Sequence, residues 1–407
     1  ANGGVRGGNE TRGQGPIEPS WARIGGLAHN AVKLVPPPLS LYIHIPWCVR
    51  KCPYCDFNSH QRPMQIPEQR YVDALLADLD TEAPLADGRE LISIFFGGGT
   101  PSLFSGSAMR AILKGVRDRL RLAHNAEVTL ETNPGTAEFD RFEAYREAGI
   151  NRLSFGVQSF DDAALKRLGR IHGGDEARSA FALARAAGFD NINIDLMYAL
   201  PSQTLPQALA DIASASELGP EHLSHYQLTL EPGTVFARFP PDALPDDDAL
   251  ADMQEATQAA IAKAGWVQYE VSAYARPGRQ SRHNLNYWTF GDYLAIGAGA
   301  HSKTTSAHVR RRTRLRNPNE YLAATQRIAE DKLVPPHDLP FEFMLNALRL
   351  RDGFSVREFE QRTGCTLGAG FEKALERGLI ERDGDIVRAT ALGYRYLNDT
   401  VECFLLS

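Results

Sequence analysis

Six short apolar segments recur between residues 39 and 230, and a segment with helical periodicity separates each from the next. The apolar segments cover residues 39–45, 91–97, 126–132, 152–159, 191–199 and 222–230, and the helical ones 70–80, 107–122, 137–148, 175–187 and 205–218. Strands that alternate with helices predict βαβ units and a parallel sheet. Because such crossovers share one hand, six in a row curl the sheet.

This alternation predicts an α/β protein with a partial (β/α)₆ TIM-like barrel, since six units are too few for a complete eight-unit barrel. A doubly wound parallel sheet is the alternative, and periodicity alone does not separate the two. In either architecture, functional residues are expected just past the carboxyl ends of the strands.

The alternation fades after about residue 232, and four parts are expected along the chain. Residues 1–36, rich in Gly and Arg, are expected to form a disordered extension. The barrel is expected at 37–240, and an extension of it at 241–310. Residues 311–407 read as helices followed by a two-stranded ribbon with a turn at Asp383–Gly384, which predicts a small C-terminal α/β winged-helix-like domain. The basic run 310–317 is interpreted as a solvated linker or a helix start.

Composition excludes several classes of protein. A net charge of -6 argues against a nucleic-acid binder that relies on general basicity, so the winged-helix-like domain is interpreted as a packing or partner surface. No uncharged apolar run reaches the roughly 20 residues that span a bilayer, although peripheral membrane contact is left open. Five cysteines, three of them within eight positions, make a poor disulfide framework and favour a metal site in a reducing cytoplasm.

The three crowded cysteines, Cys48, Cys52 and Cys55, directly follow the first predicted strand. Thiolates are soft ligands that suit iron–sulfur clusters or zinc. Three thiolates would leave one iron of a [4Fe–4S] cube free for another ligand. A zinc site would need a fourth ligand, for which His44 and His60 are nearest, but the CxxxCxxC spacing fits structural zinc poorly. No role is assigned to the two remaining cysteines, Cys365 and Cys403.

CxxxCxxC after a first strand resembles the signature of the radical-SAM superfamily. The wider segment LYIHIPWCVRKCPYCDFNSH is similar to the branch that contains oxygen-independent coproporphyrinogen III oxidase and the HemW family of haem chaperones, and the similarity runs from about Pro37 to the C-terminus. The resemblance implies a [4Fe–4S] cluster on Cys48, Cys52 and Cys55, with S-adenosylmethionine (SAM) on the open iron. It also implies that the reduced cluster can cleave SAM to a radical.

The resemblance further implies a set of residues that contact SAM. They are Tyr42, Gly98, Gly99, Thr100, Glu131, Gln158, Arg170 and Asp195. The glycines of GGGTP are expected to let backbone N–H groups approach the ligand. The carboxylates would accept hydrogen bonds from its ammonium or ribose hydroxyls, and the arginine would bind its carboxylate. Each residue alone would be unremarkable; their placement near successive strand ends favours one site.

The motif HNxxYW, with His283, Tyr287 and Trp288, matches one that the HemW family associates with haem. An imidazole can ligate haem iron, and aromatic rings can pack on a porphyrin. The alternative is that His283 caps a turn while both aromatics belong to the core. His301 is a second haem candidate, and His172 and His225 are interpreted as core or pocket residues.

Two absences distinguish the members of this branch. The oxidase carries a further cysteine two positions after the third, where this chain has Phe57, and nothing in residues 1–38 resembles the oxidase's tyrosine-rich segment. We therefore expect a cytoplasmic, HemW-like haem chaperone that binds a [4Fe–4S] cluster and SAM and delivers haem, its cargo, to respiratory haem proteins. The alternative is a coproporphyrinogen III oxidase of porphyrin biosynthesis, and whether the chain is an enzyme is left open.

Overall fold

The computed structural model describes residues 33–135 and 141–405. The expected disordered extension therefore lies outside the described residues as far as residue 32. The first four residues of the helix predicted at 137–148 lie outside them as well. Among the described helices, none combines the length and the apolar composition that a membrane span requires.

The first half of the described chain alternates strands and helices as predicted. Its strands are β1 (Leu39–Ile45), β2 (Trp47–Cys48), β3 (His60–Gln61), β4 (Leu91–Gly98), β5 (Leu122–Thr132), β6 (Arg152–Gln158), β7 (Ile192–Tyr198) and β8 (His222–Gln227). Its helices are α1 (Glu68–Glu82), α2 (Gly106–Arg117), α3 (Phe142–Ala148), α4 (Asp162–Arg167), α5 (Gly174–Ala186), α6 (Leu205–Leu218) and α7 (Val235–Arg238). The six predicted strands are confirmed, whereas α4 was not predicted and α2 ends five residues before the predicted 122, where β5 already begins.

The second half mixes short strands and helices. Its strands are β9 (Val267–Glu270), β10 (Ala273–Ala275), β11 (Asp292–Ile296), β12 (His301–Thr305), β13 (Val309–Arg314), β14 (Ile328–Leu333), β15 (Phe354–Ser355), β16 (Ile380–Asp383) and β17 (Ile386–Ala389). Its helices are α8 (Asp247–Lys263), α9 (Arg282–Trp288), α10 (Pro318–Ala323), α11 (Leu339–Ala347), α12 (Val356–Thr363), α13 (Ala369–Glu376), α14 (Ala391–Arg395) and α15 (Leu397–Glu402).

One mixed sheet of twelve strands organises the molecule. Its order is β14-β13-β12-β11-β1-β4-β5-β6-β7-β8-β10-β9. The six predicted strands pair in parallel and follow one another without a reversal of direction, so the sheet winds one way into a partial barrel and is not doubly wound. A seventh parallel strand, β11, pairs with the outer side of β1, and antiparallel strands extend both edges.

The barrel strands have an apolar face and a polar face. In β1, Leu41 and Ile43 belong to the same buried core as Leu75 of α1, whereas Tyr42 and His44 alternate with them and point the other way. Because side chains alternate along a strand, each strand contributes one row to the helix-covered core and one to the barrel interior. The interior rows carry most of the polar residues of the strands, and they form the site described below.

The C-terminal region has a core of its own. Helix α11 precedes β15, helices α12 and α13 follow, and the ribbon β16–β17 completes a three-stranded sheet with β15. This order of elements confirms the winged-helix-like prediction. At its centre Phe343 packs edge to face against Phe354 and Phe359 (ring centroids 5.1 and 5.2 Å away), whose own rings are tilted to each other at 6.3 Å.

The basic run 310–317 is not the predicted solvated linker or helix start, since most of it forms β13 within the large sheet. Arg314 is fully buried: its Nε donates to Asp78 Oδ1 (2.8 Å), and its Nη2 lies 2.8 Å from Glu82 Oε1. Both carboxylates belong to α1. Arg312, two residues earlier on the same face of the strand, also pairs with Glu82 (2.9 Å), so two arginines join β13 to α1.

Removing this buried cation should destabilise the fold. Arg314→Met leaves the buried Asp78 carboxylate without its cation and Glu82 with Arg312 alone, and we expect a loss of about 3–5 kcal/mol in the free energy of unfolding. Arg310→Met, on the same strand, removes a more exposed pair with Asp331 (2.7 Å) and should cost less than about 1 kcal/mol. Urea denaturation of both variants measures the difference, and similar losses would contradict a special role for Arg314.

Candidate functional site

The carboxyl ends of the parallel strands surround a cavity of about 420 Å³, a size typical of small-molecule sites. Three cysteines line one side, and side chains from strand ends line the other. The lining includes Cys48, Cys52, Tyr54, Cys55, Gly98, Gly99, Thr100, Glu131, Asn133, Ser154, Gln158, Arg170, Asp195, Ser224 and Tyr226. Seven of the eight predicted SAM residues are thus brought together with the three cysteines.

The cysteine loop closes on itself and is surrounded by hydroxyl groups. Cys55 N–H donates to Cys52 O (3.2 Å), and the Ser59 hydroxyl lies 3.8 Å from Cys55 Sγ. Burial raises the pKa of the Cys48 and Cys55 thiols, although hydroxyl groups of Thr100 and Ser59 oppose the shift. Since metal ligation requires thiolates, binding of a metal centre here would release protons.

His44 and Asn58 hold this loop in place. His44 Nε2 donates to Asn58 O, and His44 Nδ1 accepts from Tyr42 OH, each at 2.9 Å. The Asn58 amide in turn donates to Ala298 O and Arg316 O (both 2.9 Å). Both ring nitrogens of His44 are therefore occupied, and this histidine is not available as a fourth zinc ligand.

A single-ion zinc site has no other support in the described part of the chain. His60, the second zinc candidate, does not line the cavity but a separate groove on the outer side of the loop. Within residues 33–135 and 141–405, no three His, Cys, Asp or Glu side chains converge closely enough to hold one ion. The donor set of three thiols on one wall fits a cluster with an open position better than it fits zinc.

The segment GGGTP packs closely against the chain that leads into the cysteine loop. Its N–H groups are already bonded: Gly98 N–H donates to Glu131 Oε2 (3.1 Å), Gly99 N–H to Ile45 O (2.8 Å) and Thr100 N–H to Trp47 O (2.7 Å). A Cβ at Gly99 would lie 2.5 Å from Trp47 O. Close packing against the chain on either side of Pro46 thus uses the N–H groups of Gly99 and Thr100, and Glu131 uses that of Gly98.

Two buried carboxyls face the cavity without an ion-pair partner. Burial, with a smaller contribution from Asp195, raises the pKa of Glu131 to about 8. Burial also raises the pKa of Asp195, whose Oδ1 accepts from the Asn193 amide (2.7 Å). A cation bound between these groups would restore their charge, and SAM carries a sulfonium and an ammonium. The cavity therefore fits the group that the resemblance implies.

A chain of hydrogen bonds joins Arg170 to the cysteine loop. Arg170 donates to Asn133 Oδ1 (2.6 Å) and approaches Cys52 Sγ (3.7 Å), while the Asn133 amide donates to Thr100 Oγ1 (2.7 Å). Asn133 was not predicted from the sequence. Its position directly after a strand, in ETNP beside Glu131, was the signal that could have identified it.

Gln158 reaches the cavity through an irregular strand end. Its φ is +73°, a conformation that non-glycine residues adopt rarely, and the register of β6 against β7 shifts just before it. Gln158 Oε1 accepts from Tyr226 OH (2.8 Å). Tyr226 and Ser224 were also not predicted, although their alternation on β8 with the buried Leu223 and His225 indicates that they share the interior face.

Tyr42 is the one predicted SAM residue that does not line the cavity. Its ring lies beside Phe95 (centroids 6.3 Å apart), and its hydroxyl donates to His44, as described above. Tyr42 therefore forms part of the wall that supports the cysteine loop.

The HNxxYW motif lies on α9, near the start of the barrel strands and away from the cavity. His283 Nδ1 lies 3.1 Å from the hydroxyl of Ser93, the third residue of β4, and its ring stacks on Phe95 (4.9 Å). Burial lowers the pKa of His283 to about 3, so the imidazole is neutral at physiological pH. Because Ser93 donates its proton to Ser40 (2.7 Å), Nδ1 carries the imidazole proton and Nε2 keeps its lone pair.

The three predicted haem residues do not share one surface. His283 packs into the barrel interior, whereas the Tyr287 side chain is 38% exposed and the Trp288 ring lies under the Arg349 guanidinium at 4.4 Å. Tyr287 lines a second cavity, of about 540 Å³, which His283 does not reach.

The other histidines that the sequence singled out lie apart from the SAM cavity. His301 is exposed at the start of β12. His172 Nε2 donates to Val157 O (3.1 Å), and the ring of His225 stacks on Tyr198 with centroids 4.7 Å apart. Burial lowers the pKa of His172 to about 4 and that of His225 to about 3. Both are buried, packed residues.

Comparisons with known proteins agree with this geometry. The family described as the Radical SAM superfamily matches residues 42–213, and the HemN C-terminal domain matches residues 334–396. The protein named Heme chaperone HemW from Escherichia coli is 50% identical, over 91% of this chain and 98% of its own length. Heme chaperone HemW from Haemophilus influenzae is 49% identical over the same shares of the two chains.

Among solved structures, coproporphyrinogen III oxidase (HemN) from Escherichia coli, a radical SAM enzyme, has a similar fold. The TM-score is 0.77, with 24% identity over 91% of this chain and 90% of the other. At 24% identity this similarity shows that the chain has the same fold, a radical-SAM barrel with a C-terminal domain. It does not show that the chain catalyses the same reaction.

The raised pKa of Glu131 predicts how SAM affinity depends on pH. A cationic ligand needs the Glu131 carboxylate, so binding below pH 8 must release its proton. The affinity of cluster-loaded protein should therefore rise about tenfold to fiftyfold between pH ~6 and pH ~8. In Glu131→Gln, titrated by calorimetry under the same conditions, the rise should be smaller. Equal slopes in the two proteins would remove Glu131 from the site.

Proposed function

The chain belongs to the HemW family of the radical-SAM superfamily, and from this premise we propose that it is a haem chaperone that binds a [4Fe–4S] cluster, SAM and haem. We further propose that it works in the cytoplasm and delivers haem to respiratory haem proteins. The observation that carries the proposal is one cavity in which three thiols face two buried carboxyls that have no ion-pair partner. Relatives named Heme chaperone HemW that are about half identical over nearly their whole length support the haem role.

Cys48, Cys52 and Cys55 would hold the cluster, and Thr100, Ser59 and Arg170 would donate hydrogen bonds around their sulfur atoms. Such donors stabilise the negative charge that a reduced cluster carries. When bound, the cluster would supply single electrons to SAM.

The chain's remaining site residues would bind and orient SAM. Glu131 and Asp195 would attract its positive groups, and the Gln158 amide, whose oxygen is bonded to Tyr226, would have its N–H groups left to donate. The cysteine loop and the strand ends would exclude water from the reacting atoms.

The cavity beside Tyr287 supports a location for haem. We call it the Tyr287 groove; it is lined by Tyr287, Arg311, Asp338, Phe341, Glu342, Leu345, Asn346 and Leu405. Leu345 and Leu405 are about half exposed, so a flat apolar ring could cover them. Arg311, which pairs with Glu342 (2.6 Å), could bind a propionate, and a tyrosine can ligate haem iron.

The cluster assignment predicts a loss that one serine substitution should cause. Cys52→Ser should abolish most of the iron and sulfide bound after anaerobic reconstitution, because two thiolates cannot retain the cube. Cys365→Ser, which alters a half-buried thiol of the C-terminal region, is the matched control and should keep full iron content. Full iron in both variants would contradict the ligand assignment.

The haem proposal is tested by titrating haem into four proteins. Tyr287→Ala should weaken binding about tenfold or more, since it removes a ring and a possible ligand from the groove. His283 does not line the groove, so His283→Ala should weaken binding as well, with cluster content unchanged, only if bound haem also contacts its imidazole. Ser93→Ala is its control: it breaks the Nδ1 hydrogen bond and leaves the imidazole in place. Wild-type affinity in His283→Ala would remove that histidine from the haem site.

An anaerobic assay with coproporphyrinogen III distinguishes the chaperone from the oxidase. We expect cluster-loaded protein with SAM to form no protoporphyrinogen, since Phe57 occupies the position of the oxidase's additional cysteine. Formation of that product would overturn the proposed function.

A further inference from the structure

A group of buried polar side chains lies below the SAM cavity, nearer the start of the barrel strands. Asn193 of β7 and His222 of β8 are opposite each other in the sheet, and Tyr269 of β9 packs edge to face on the His222 ring (centroids 5.6 Å apart). All three side chains are buried. Because a buried polar group is costly unless it is hydrogen-bonded, the partners of these three side chains indicate what they do.

Their hydrogen bonds form a chain that ends at Asp195. Tyr269 OH lies 2.8 Å from His222 Nε2, and His222 Nδ1 lies 2.6 Å from Asn193 Oδ1. The Asn193 amide donates to Asp195 Oδ1 (2.7 Å), and Asp195 lines the SAM cavity. The chain therefore connects β9 to one of the two carboxyls of the proposed SAM site.

One backbone group sets the direction of these hydrogen bonds. Ser281 N–H can only donate, and it donates to the Tyr269 oxygen (3.4 Å), so the phenol proton is left for His222 Nε2. Burial lowers the pKa of His222 well below its usual range, so the ring is neutral and carries one proton. That proton is on Nδ1 and is donated to Asn193 Oδ1, which turns the Asn193 NH₂ group toward Asp195.

The reverse arrangement of protons requires a neutral Asp195. If the Asn193 amide were turned round, its oxygen would face the carboxyl, and only a protonated Asp195 could donate to it. His222 Nδ1 would then accept from the amide, and Nε2 would carry the ring proton. The hydroxyls of Ser154 (2.8 Å) and Ser224 (3.1 Å) beside the amide can donate or accept, so they permit both arrangements. The tautomer of His222 is thus linked to the charge of Asp195.

The Asn193 amide has a large effect on that charge. Burial raises the pKa of Asp195, and the hydrogen bond from Asn193 opposes this rise more than any other group. The remaining groups that face Asp195 come from β5, β6 and β8, and they are Glu131, Arg152, Ser154, Ser224 and Tyr226. A donor held toward Asp195 favours its carboxylate form, which is the form that attracts a cation.

We propose that His222 is a positioning residue of the SAM site. Tyr269 holds its ring as the Nδ1–H tautomer, and the ring in turn holds the Asn193 amide with its N–H group toward the Asp195 carboxylate. The inference deepens the proposed function and rests on it, because it requires that SAM binds beside Asp195.

Calorimetric titration of SAM into cluster-loaded protein tests this role. His222→Leu removes the N–H donor and should weaken SAM binding about tenfold, with iron content unchanged. His222→Asn, whose amide can donate from the place of Nδ1–H, should bind SAM within about threefold of wild type. The matched control is His225→Leu, which alters another buried histidine of the same strand and should stay within about twofold of wild type.

A double-mutant cycle tests whether His222 acts through Asp195. Asp195→Asn removes the charge, and in that background His222→Leu should change SAM affinity by less than about twofold. An equal loss from His222→Leu in both backgrounds would assign the effect to general damage and overturn the proposal. Wild-type affinity in His222→Leu would overturn it as well.

The tautomer itself is measurable in the wild type, without a variant that could fail to fold. In ¹⁵N NMR spectra of histidine-labelled, SAM-bound protein, the His222 signals, assigned by their shift in Tyr269→Phe, should show the proton on Nδ1. A proton on Nε2 would contradict the proposal. Tyr269→Phe, which removes a single oxygen, should weaken SAM binding about threefold. Cluster-loaded wild type that binds no SAM contradicts the proposed function, whereas SAM-binding protein indifferent to His222 contradicts the positioning role alone.

Discussion

The geometry of the site depends on the close packing of two glycines against the cysteine loop and the strand before it. Gly297 and Gly299 both have positive φ, and a Cβ on either would lie within 2.3 Å of the loop or the strand before it: of His44 O at Gly297 and of Asn58 Nδ2 at Gly299. Asn58 can therefore reach Ala298 O, and the loop is fixed between β1 and the segment after β11. Three cysteines hold a cluster at three corners only if their loop keeps its shape without a fourth ligand, and this close packing supplies that rigidity.

Several residues in the barrel interior are held in states that destabilise the free protein. Glu131 and Asp195 are buried without an ion-pair partner, and Gln158 occupies a left-handed conformation at an irregular strand end. Each feature is unfavourable in the free protein. Elsewhere buried charges are paired, as Arg314 is with Asp78 and Glu82. The contrast between paired charges behind the helices and carboxyls without an ion pair in the cavity indicates where a cationic ligand would be stabilised.

Much of the barrel could be predicted from the sequence, because its strands are apolar, β-branched and spaced by helices of ordinary length. The charged run of β13 could not, since charge alone indicates solvent and the carboxylates that receive Arg314 lie over 230 residues away. Within the site, the cysteines and strand-end residues followed from motifs. Asn133 and Tyr226 did not, because their roles arise from contacts with Arg170 and Gln158 that sequence spacing does not reveal. Likewise, HNxxYW gave the spacing of His283 and Tyr287 but not the burial of one and the exposure of the other.

The two ends of the barrel are joined by packed side chains. The ring of His283, on α9, lies 6.4 Å from that of Tyr42, whose hydroxyl donates to His44, and His44 donates to Asn58 in the cysteine loop. On the proposed function, haem would bind beside α9 at a distance from the SAM cavity, so direct attack by a SAM-derived species on haem would require a large displacement. If SAM binding at the cluster changes haem affinity beside α9, small shifts of the side chains from Asn58 to His283 would be enough to transmit the effect. Contact between neighbouring side chains does not by itself show energetic coupling. A double-mutant cycle between Tyr42→Phe and His283→Ala, with haem affinity measured with and without SAM, gives the coupling free energy between the two sites.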